Sequence, residues 1–195
     1  MRAYTRPESP DTHPTANPDW SRRRWLQATG AASLASALPA ALAQPVSAAA
    51  EASRALPMPA LGAMLDLPRI GLLDGSVLDP AANRGKPLLV YWWSSTCPFC
   101  ALQSPSMEKI WLSQRGRGLQ MVALSVDREA QDAQAYLAKK GYSFPAAWTS
   151  PEWRKAFPKP RGLPITLLSG RDGRLLLAER GQMFAEDVEA IAQLI

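Results

Sequence analysis

Runs of apolar residues in the second half of the chain alternate with stretches of helical spacing. The six residues Leu88–Trp93 are strand formers and apolar at every position, which predicts a strand in the middle of a sheet. After a short polar step, Met107, Ile110 and Trp111 recur at i, i+3 and i+4. This spacing predicts an amphipathic helix that ends around Gly116.

Similar patterns continue to the end of the chain. A second central strand is predicted over residues 119–126, and Asp127 is placed to cap the helix that follows it. Lys139-Lys140-Gly141 is a typical end for that helix. The remaining predicted elements are a short helix opened by Ser150-Pro151, strands at Ile165–Ser169 and Leu175–Arg180, and a last helix over residues 185–194.

An Asp-Gly turn between apolar runs predicts a β-hairpin over residues 70–78, ahead of the central strand. The complete order is hairpin, strand, helix, strand, helix, strand, strand, helix. This order predicts an α/β fold with a central mixed β-sheet flanked by helices and with an N-terminal β-hairpin. One such domain is expected over residues 59–195, preceded by a flexible linker over residues 44–58.

The first 43 residues have the composition of an export signal. A polar, Pro-rich start leads to Arg22-Arg23-Arg24, then to an Ala/Leu stretch that ends in Ala41-Leu42-Ala43. Paired arginines shortly before Trp25-Leu26 resemble a twin-arginine signal, so cleavage after Ala43 and a periplasmic location are expected. The alternative is membrane anchoring by an uncleaved signal, but its apolar part spans about 17 residues where a membrane helix needs about 20.

Charge adds little to the functional interpretation. The chain carries a net charge of +5, and removal of residues 1–43, with five arginines and three acids, leaves +3. Because no basic stripe with interleaved aromatic residues is present in the sequence, no nucleic-acid partner is expected.

Two cysteines, Cys97 and Cys100, stand in a C-x-x-C motif between the central strand and the helix. The first turn of a helix stabilises an anion, and the thiolate is the reactive form of cysteine. A zinc site within one chain is disfavoured because the sole histidine, His13, lies in the N-terminal segment. An attached haem would need histidine where Ala101 stands. Redox chemistry is therefore expected, with an inert disulfide, buried thiols or an intermolecular metal site as the alternatives.

Cys97 is predicted to be the nucleophile because it occupies the helix N-terminus, whereas Cys100 lies one turn further inside. A partner would first form a mixed disulfide with Cys97, which Cys100 then resolves. No cofactor is expected beyond this redox-active disulfide. The Pro98-Phe99 pair between the cysteines contains no histidine to stabilise the thiolate further, so a strongly oxidising potential is not expected.

The segment Tyr91-Trp-Trp-Ser-Ser-Thr-Cys-Pro-Phe-Cys100 resembles the active site of thioredoxin-fold proteins, and most closely exported thiol–disulfide oxidoreductases of the TlpA/ResA type. Pro105, Gly162-Leu-Pro-Ile-Thr166 and Asp172-Gly-Arg174 support the resemblance, which covers roughly residues 60–195. It implies a thioredoxin-like fold and makes Pro164 a cis-proline beside the cysteines. Leu163 and Pro164, together with Pro98 and Phe99, are then the expected substrate-binding residues.

The resemblance also implies partners. Exported proteins with cysteine thiols or disulfides, apocytochromes among them, are the expected clients, and a separate redox partner would recycle the pair. Three positions depart from the family pattern: Tyr91 and Gln103 replace acids, and Thr96 replaces a tryptophan. The function expected is that of a reductant. The alternatives are a thiol oxidant and a peptide-binding module with a structural disulfide.

Overall fold

The computed structural model describes residues 56–82 and 84–195. The predicted export signal and residues 44–55 of the predicted linker lie outside this part. Short 3-10 turns follow two of the helices, at Arg115–Arg117 and Ile191–Gln193. In chain order the strands and helices are β1 (Ile70–Gly71), β2 (Val77–Leu78), β3 (Leu88–Trp93), α1 (Pro98–Gln114), β4 (Gln120–Ser125), α2 (Ala130–Lys140), β5 (Ala146–Trp148), α3 (Pro151–Ala156), β6 (Ile165–Ser169), β7 (Leu175–Arg180) and α4 (Ala185–Ala190).

Five strands form a mixed sheet in the order β5-β4-β3-β6-β7. Strand β3 is central, as predicted, and all six of its residues are buried. It runs parallel to β4 and antiparallel to β6. Alternate side chains of β3 enter two separate cores, Tyr91 and Trp93 on one face of the sheet and Val90 and Trp92 on the other. A strand buried on both faces explains why the sequence is apolar at every position.

The predicted hairpin is present, but its strands are short. Ile70 pairs with Leu78, and Gly71 pairs with Val77. The carboxylate of Asp74 accepts a hydrogen bond of 2.9 Å from the backbone N–H of Ser76. At the next residue, Gly75, φ is +88°, a conformation that favours glycine. The Asp-Gly signal therefore identified the turn correctly.

In the middle of the chain, one strand was missed and one capping prediction was wrong. Strand β5 was not predicted, because it has only three residues and is followed closely by the cap of α3. Asp127 does not cap the next helix, which begins at Ala130 with Glu129 at its N-cap position. The carboxylate of Asp127 is instead bonded to Ser95 and Ser125.

Two other helix boundaries agree with the sequence. Helix α2 ends at Lys140, and its C-cap residue, Gly141, has φ of +69°. Ser150 caps α3 by accepting a hydrogen bond of 3.1 Å from the backbone N–H of Trp153. The last helix is shorter than expected, because α4 ends at Ala190 and a 3-10 turn follows. Among the helices of the described residues, none has the length and apolar character needed to span a bilayer.

The first described residues, 56–58, pack against the rest of the domain. Leu56 forms a parallel bridge with Pro160, and Met58 packs against the core that contains Trp92. Residues 56–58, at the end of the predicted linker, thus contribute to the packing of the domain.

Candidate active site

The two cysteines lie where β3 leads into α1. Cys97 occupies the N-cap position of α1, and its sulfur accepts a hydrogen bond of 3.1 Å from the backbone N–H of Cys100. The two residues form a disulfide, with their Cα atoms 5.2 Å apart. Cys97 is half-buried, whereas Cys100 has an exposed fraction of 0%. Only the first sulfur is therefore placed to meet a partner.

The backbone around Cys100 is fixed by two hydroxyl groups. The carbonyl oxygen of Cys100 lies 3.1 Å from the Tyr91 hydroxyl and accepts a hydrogen bond of 2.7 Å from Ser104. The two hydroxyls lie 3.2 Å apart. Burial raises the pKa of Tyr91 far above its ordinary value. Tyr91 is therefore a neutral partner of the cysteine turn, at a position where an acid was expected from the resemblance.

Gln103 connects α1 to two distant segments. Its side chain is buried, with an exposed fraction of 1%. The amide nitrogen donates a hydrogen bond of 2.9 Å to the Thr166 hydroxyl, and the amide oxygen accepts one of 2.9 Å from the backbone N–H of Met183. Because Thr166 follows Pro164 by two residues, Gln103 couples the cysteine helix to the start of β6.

Asp127 holds the turn before Cys97. Its carboxylate accepts hydrogen bonds of 2.9 Å from both the backbone N–H and the hydroxyl of Ser95. Ser125 donates a third, of 2.7 Å, and the Trp148 indole donates to the Asp127 carbonyl oxygen. These contacts fix the step between β3 and Cys97.

The predicted cis-proline is confirmed, because the Leu163–Pro164 peptide bond is cis. Pro164 precedes β6, whose first residue, Ile165, lies opposite Trp92 of β3. Leu163 and Cys97 pack against the same buried cluster. The carbonyl oxygen of Pro164 accepts a hydrogen bond of 2.9 Å from Gly181. We call residues 158–164 the proline loop.

The backbone polar groups of Leu163 stand apart from the hydrogen bonds of the sheet. Within residues 56–82 and 84–195, neither its N–H nor its C=O takes part in a hydrogen bond. Leu163 is half-buried and lies two residues before β6, so its backbone N–H and C=O can still form hydrogen bonds. Pro98 and Phe99 lie on the exposed first turn of α1, and Phe99 is 58% exposed.

Pro105 divides α1 into two parts. It lies inside the helix and cannot donate a backbone hydrogen bond to the preceding turn. Beyond it, the Glu108 carboxylate accepts hydrogen bonds from the backbone N–H groups of Ser143, at 2.8 Å, and Phe144, at 3.0 Å. Lys109 forms an ion pair with Glu189 of α4. The second part of α1 is thus anchored on two sides.

The predicted site residues form two groups, which the structure brings to the same end of the sheet. Cys97, Pro98, Phe99 and Cys100 form the first turn of α1, and Leu163-Pro164 precedes β6. Asp127 was missed as a site residue. Its position just after β4 could have identified it. Ser125, the last residue of β4, lies opposite Trp93, the last residue of β3, so the residues that follow the two strands are close together. Among the described residues, no group of three or more His, Cys, Asp or Glu side chains is placed to hold a metal ion.

A family model described as Redoxin matches residues 57–189, more than half of the chain. The chain belongs to the Redoxin family. The thiol–disulfide oxidoreductase ResA of Halalkalibacterium halodurans is similar to the chain, with 25% identity over 123 residues. This match covers 63% of the chain and 70% of the relative.

Solved structures confirm the thioredoxin-like fold of this Redoxin family member. A thiol:disulfide interchange protein of the thioredoxin family from Chlorobium tepidum TLS matches with a TM-score of 0.59 and 22% identity, over 72% of this chain and 97% of that one. StoA from Bacillus subtilis matches with a TM-score of 0.56 and 19% identity, over 69% of this chain and 99% of that one.

Proposed function

We propose that this thiol–disulfide oxidoreductase is exported to the periplasm and reduces disulfides in exported proteins. The observation that carries the proposal is the asymmetry of the cysteine pair. Cys97 is half-buried at the N-cap of α1, and Cys100 is fully buried behind it. One sulfur can meet a partner disulfide, while the other is held close enough to release the product.

The reduced protein would act in two exchange steps. The Cys97 thiolate attacks one sulfur of the client disulfide, so that an S–S bond forms to Cys97 and the other client sulfur leaves as a thiolate. The Cys100 thiolate then attacks the Cys97 sulfur, which releases the second client thiol and forms the Cys97–Cys100 disulfide. Two electrons pass from the protein to the client, and protons from water complete the thiols.

The N-terminus of α1 favours the first step. The helix dipole stabilises a negative charge at the Cys97 sulfur. The backbone N–H of Cys100, 3.1 Å from that sulfur, is a further donor to it. During the reaction, the free N–H and C=O of Leu163 would pair with the backbone of an extended client segment, while Pro164, Pro98 and Phe99 line its path.

The similarity to a relative named thiol-disulfide oxidoreductase ResA supports this reaction class. Exported proteins with cysteines, such as apocytochromes, are the proposed clients, and a separate donor would return electrons to the pair. A second candidate function is that of a thiol oxidant. It is favoured by the neutral side chains of Tyr91 and Gln103, which stand at two positions where the resemblance led us to expect acids.

A redox titration of the full-length protein tests the proposal. The protein is equilibrated in dithiol buffers of known potential, the free thiols are alkylated, and the oxidised fraction is measured. A reductant should give a potential near that of thioredoxin, about −270 mV, and an oxidant one closer to about −120 mV. A value well below about −300 mV would indicate a structural disulfide and would overturn the proposal.

A further inference from the structure

The proline loop contains a lysine whose side chain forms hydrogen bonds within the loop. The ammonium group of Lys159 donates hydrogen bonds of 2.6 Å to the carbonyl oxygens of Pro160 and Gly162. Burial lowers the pKa of Lys159, and the positive charge of Arg180 lowers it further. Lys159 therefore links two carbonyl groups of the proline loop and lies close to the positive charge of Arg180.

Arg180 lies across this loop from β7. In the sheet, Arg180 is paired with Ile165, the first residue of β6. The Cγ atom of Arg180 lies 3.5 Å from the point where a Cβ of Gly162 would stand, so the arginine side chain passes directly over Gly162. Arg161, the residue before Gly162, is exposed. Two arginines thus flank the backbone that leads to Leu163.

These arginines are not neutralised within the described part of the chain. Neither the Arg161 nor the Arg180 side chain forms an ion pair with a described residue. Glu179, the neighbour of Arg180 in β7, lies opposite Thr166. Because side chains alternate along a strand, Glu179 and Arg180 point to opposite faces of the sheet.

We infer that Arg161 and Arg180 select client segments that carry aspartate or glutamate beside the reactive cysteine. This inference rests on the proposed function, because it concerns the client that meets Cys97. An extended client paired with the free backbone of Leu163 would place its neighbouring side chains over Gly162. Charge complementarity at such a position raises the association rate and discriminates against clients of the wrong charge.

Synthetic peptides test the inference. Three ten-residue peptides carry one cysteine as a mixed disulfide with 2-mercaptoethanol, flanked by two Asp, two Asn or two Lys. The pre-reduced full-length protein is mixed with each peptide, and the second-order rate of peptide thiol release is measured at low and high salt. We expect the Asp peptide to react about fivefold faster than the Asn peptide at low salt, the Lys peptide to react more slowly than either, and the differences to shrink at high salt.

Variants assign the preference to the two arginines. In the double variant Arg161→Gln/Arg180→Gln the Asp-to-Asn rate ratio should approach one, and Arg180→Glu should favour the Lys peptide. Arg115→Gln is the matched control, because Arg115 is exposed and follows the last residue of α1, about 25 Å from Cys97. It should retain the preference.

Equal rates for the Asp and Asn peptides with the wild-type protein would overturn the inference, as would a ratio left unchanged by the double variant. Hydroxyethyl disulfide, a small neutral substrate, separates this failure from failure of the proposed function. If the reduced protein reacts with hydroxyethyl disulfide and with all three peptides at equal rates, only the charge selection is wrong. If it reacts with none of them, the proposed function itself is wrong.

Discussion

The Asp127 carboxylate accepts hydrogen bonds from both the backbone N–H and the hydroxyl of Ser95, two residues before Cys97. Asp127 is buried, with an exposed fraction of 6%, and follows the strand that runs parallel to β3. A loop that delivers a reactive sulfur must hold a fixed path. Here a carboxylate two residues after the neighbouring strand supplies that restraint.

Asp127→Ala should lower the free energy of unfolding by about 2–4 kcal/mol, because hydrogen bonds to a charged group are lost and the Ser95 N–H is left without its partner. The rate at which Cys97 reacts with a small disulfide should also fall. Urea unfolding and stopped-flow kinetics measure the two effects. Asp132→Ala, in the exposed first turn of α2, is the control and should change stability by about 1 kcal/mol or less. Equal effects of the two substitutions would contradict the assigned role of Asp127.

Tyr91→Phe should reduce stability at pH 7 by about 1 kcal/mol, since the hydroxyl contacts with Cys100 and Ser104 are lost. Because the pKa of Tyr91 is raised in the folded protein, the folded state keeps this proton above pH 10 while the unfolded state loses it. Above pH 10 the free energy of unfolding should therefore fall more for the wild-type protein than for the variant, which lacks this group. Urea unfolding of both oxidised proteins should show that the difference in their free energies of unfolding is smaller at pH 11 than at pH 7. A difference that stays constant would refute the argument.

Gln103→Leu should be costly, because it removes the partners of two polar groups, the Thr166 hydroxyl and the Met183 N–H. We expect a loss of about 2–4 kcal/mol in the free energy of unfolding, measured by chemical denaturation. Gln114→Leu is the matched control. Gln114 is also buried in α1, but its side-chain contacts are with neighbours in sequence, Ser113 and Arg117. A control as costly as Gln103→Leu would mean that the long-range contacts of Gln103 add nothing.

Cys97 should react before Cys100 in the reduced protein. With a limiting amount of an alkylating agent at pH 6, peptide mapping should find the label mainly on Cys97, because it is more exposed and lies at the helix N-terminus. Cys100→Ser should accumulate mixed disulfides with clients, since the resolving thiol is absent. Preferential labelling of Cys100 would reverse the assigned roles.

Export depends on residues outside the described part of the chain and is tested in cells. Replacing Arg22 and Arg23 with lysine should leave the precursor in the cytoplasm if the signal is of the twin-arginine type. The mature wild-type protein should begin near Gln44, as N-terminal sequencing can establish. A wild-type periplasmic protein that still starts at Met1, or export unaffected by the substitutions, would reject the prediction.

The elements best predicted from the sequence are those with strong local patterns. The bounds of β3, β6 and β7 agree with the structure, because a run of five or six strand formers is a sufficient local signal for a strand. Strand β5 has three residues, too few for a periodic signal. The cysteine pair and Pro164 were identifiable because their motifs lie within a few consecutive residues.

The contacts that support the site could not be predicted in the same way. Asp127 and Ser95 are 32 residues apart, and Gln103 is 63 residues from Thr166 and 80 from Met183. Such pairs are set by how the sheet and helices assemble, which local propensity does not encode. Asp127 shows the consequence, since its position before a helix favoured a capping role that the tertiary structure overrides.

Pro105 lies between two parts of α1 that have different contacts. Glu108 and Lys109 fix the second part of the helix to the loop before β5 and to α4, whereas both sulfurs lie in the first turn. We therefore expect the rearrangements that accompany making or breaking the disulfide to be smaller beyond Pro105 than before it. If a recycling donor docks only with the oxidised form, the surface around Pro98 and Phe99 is where we expect it to distinguish the two forms.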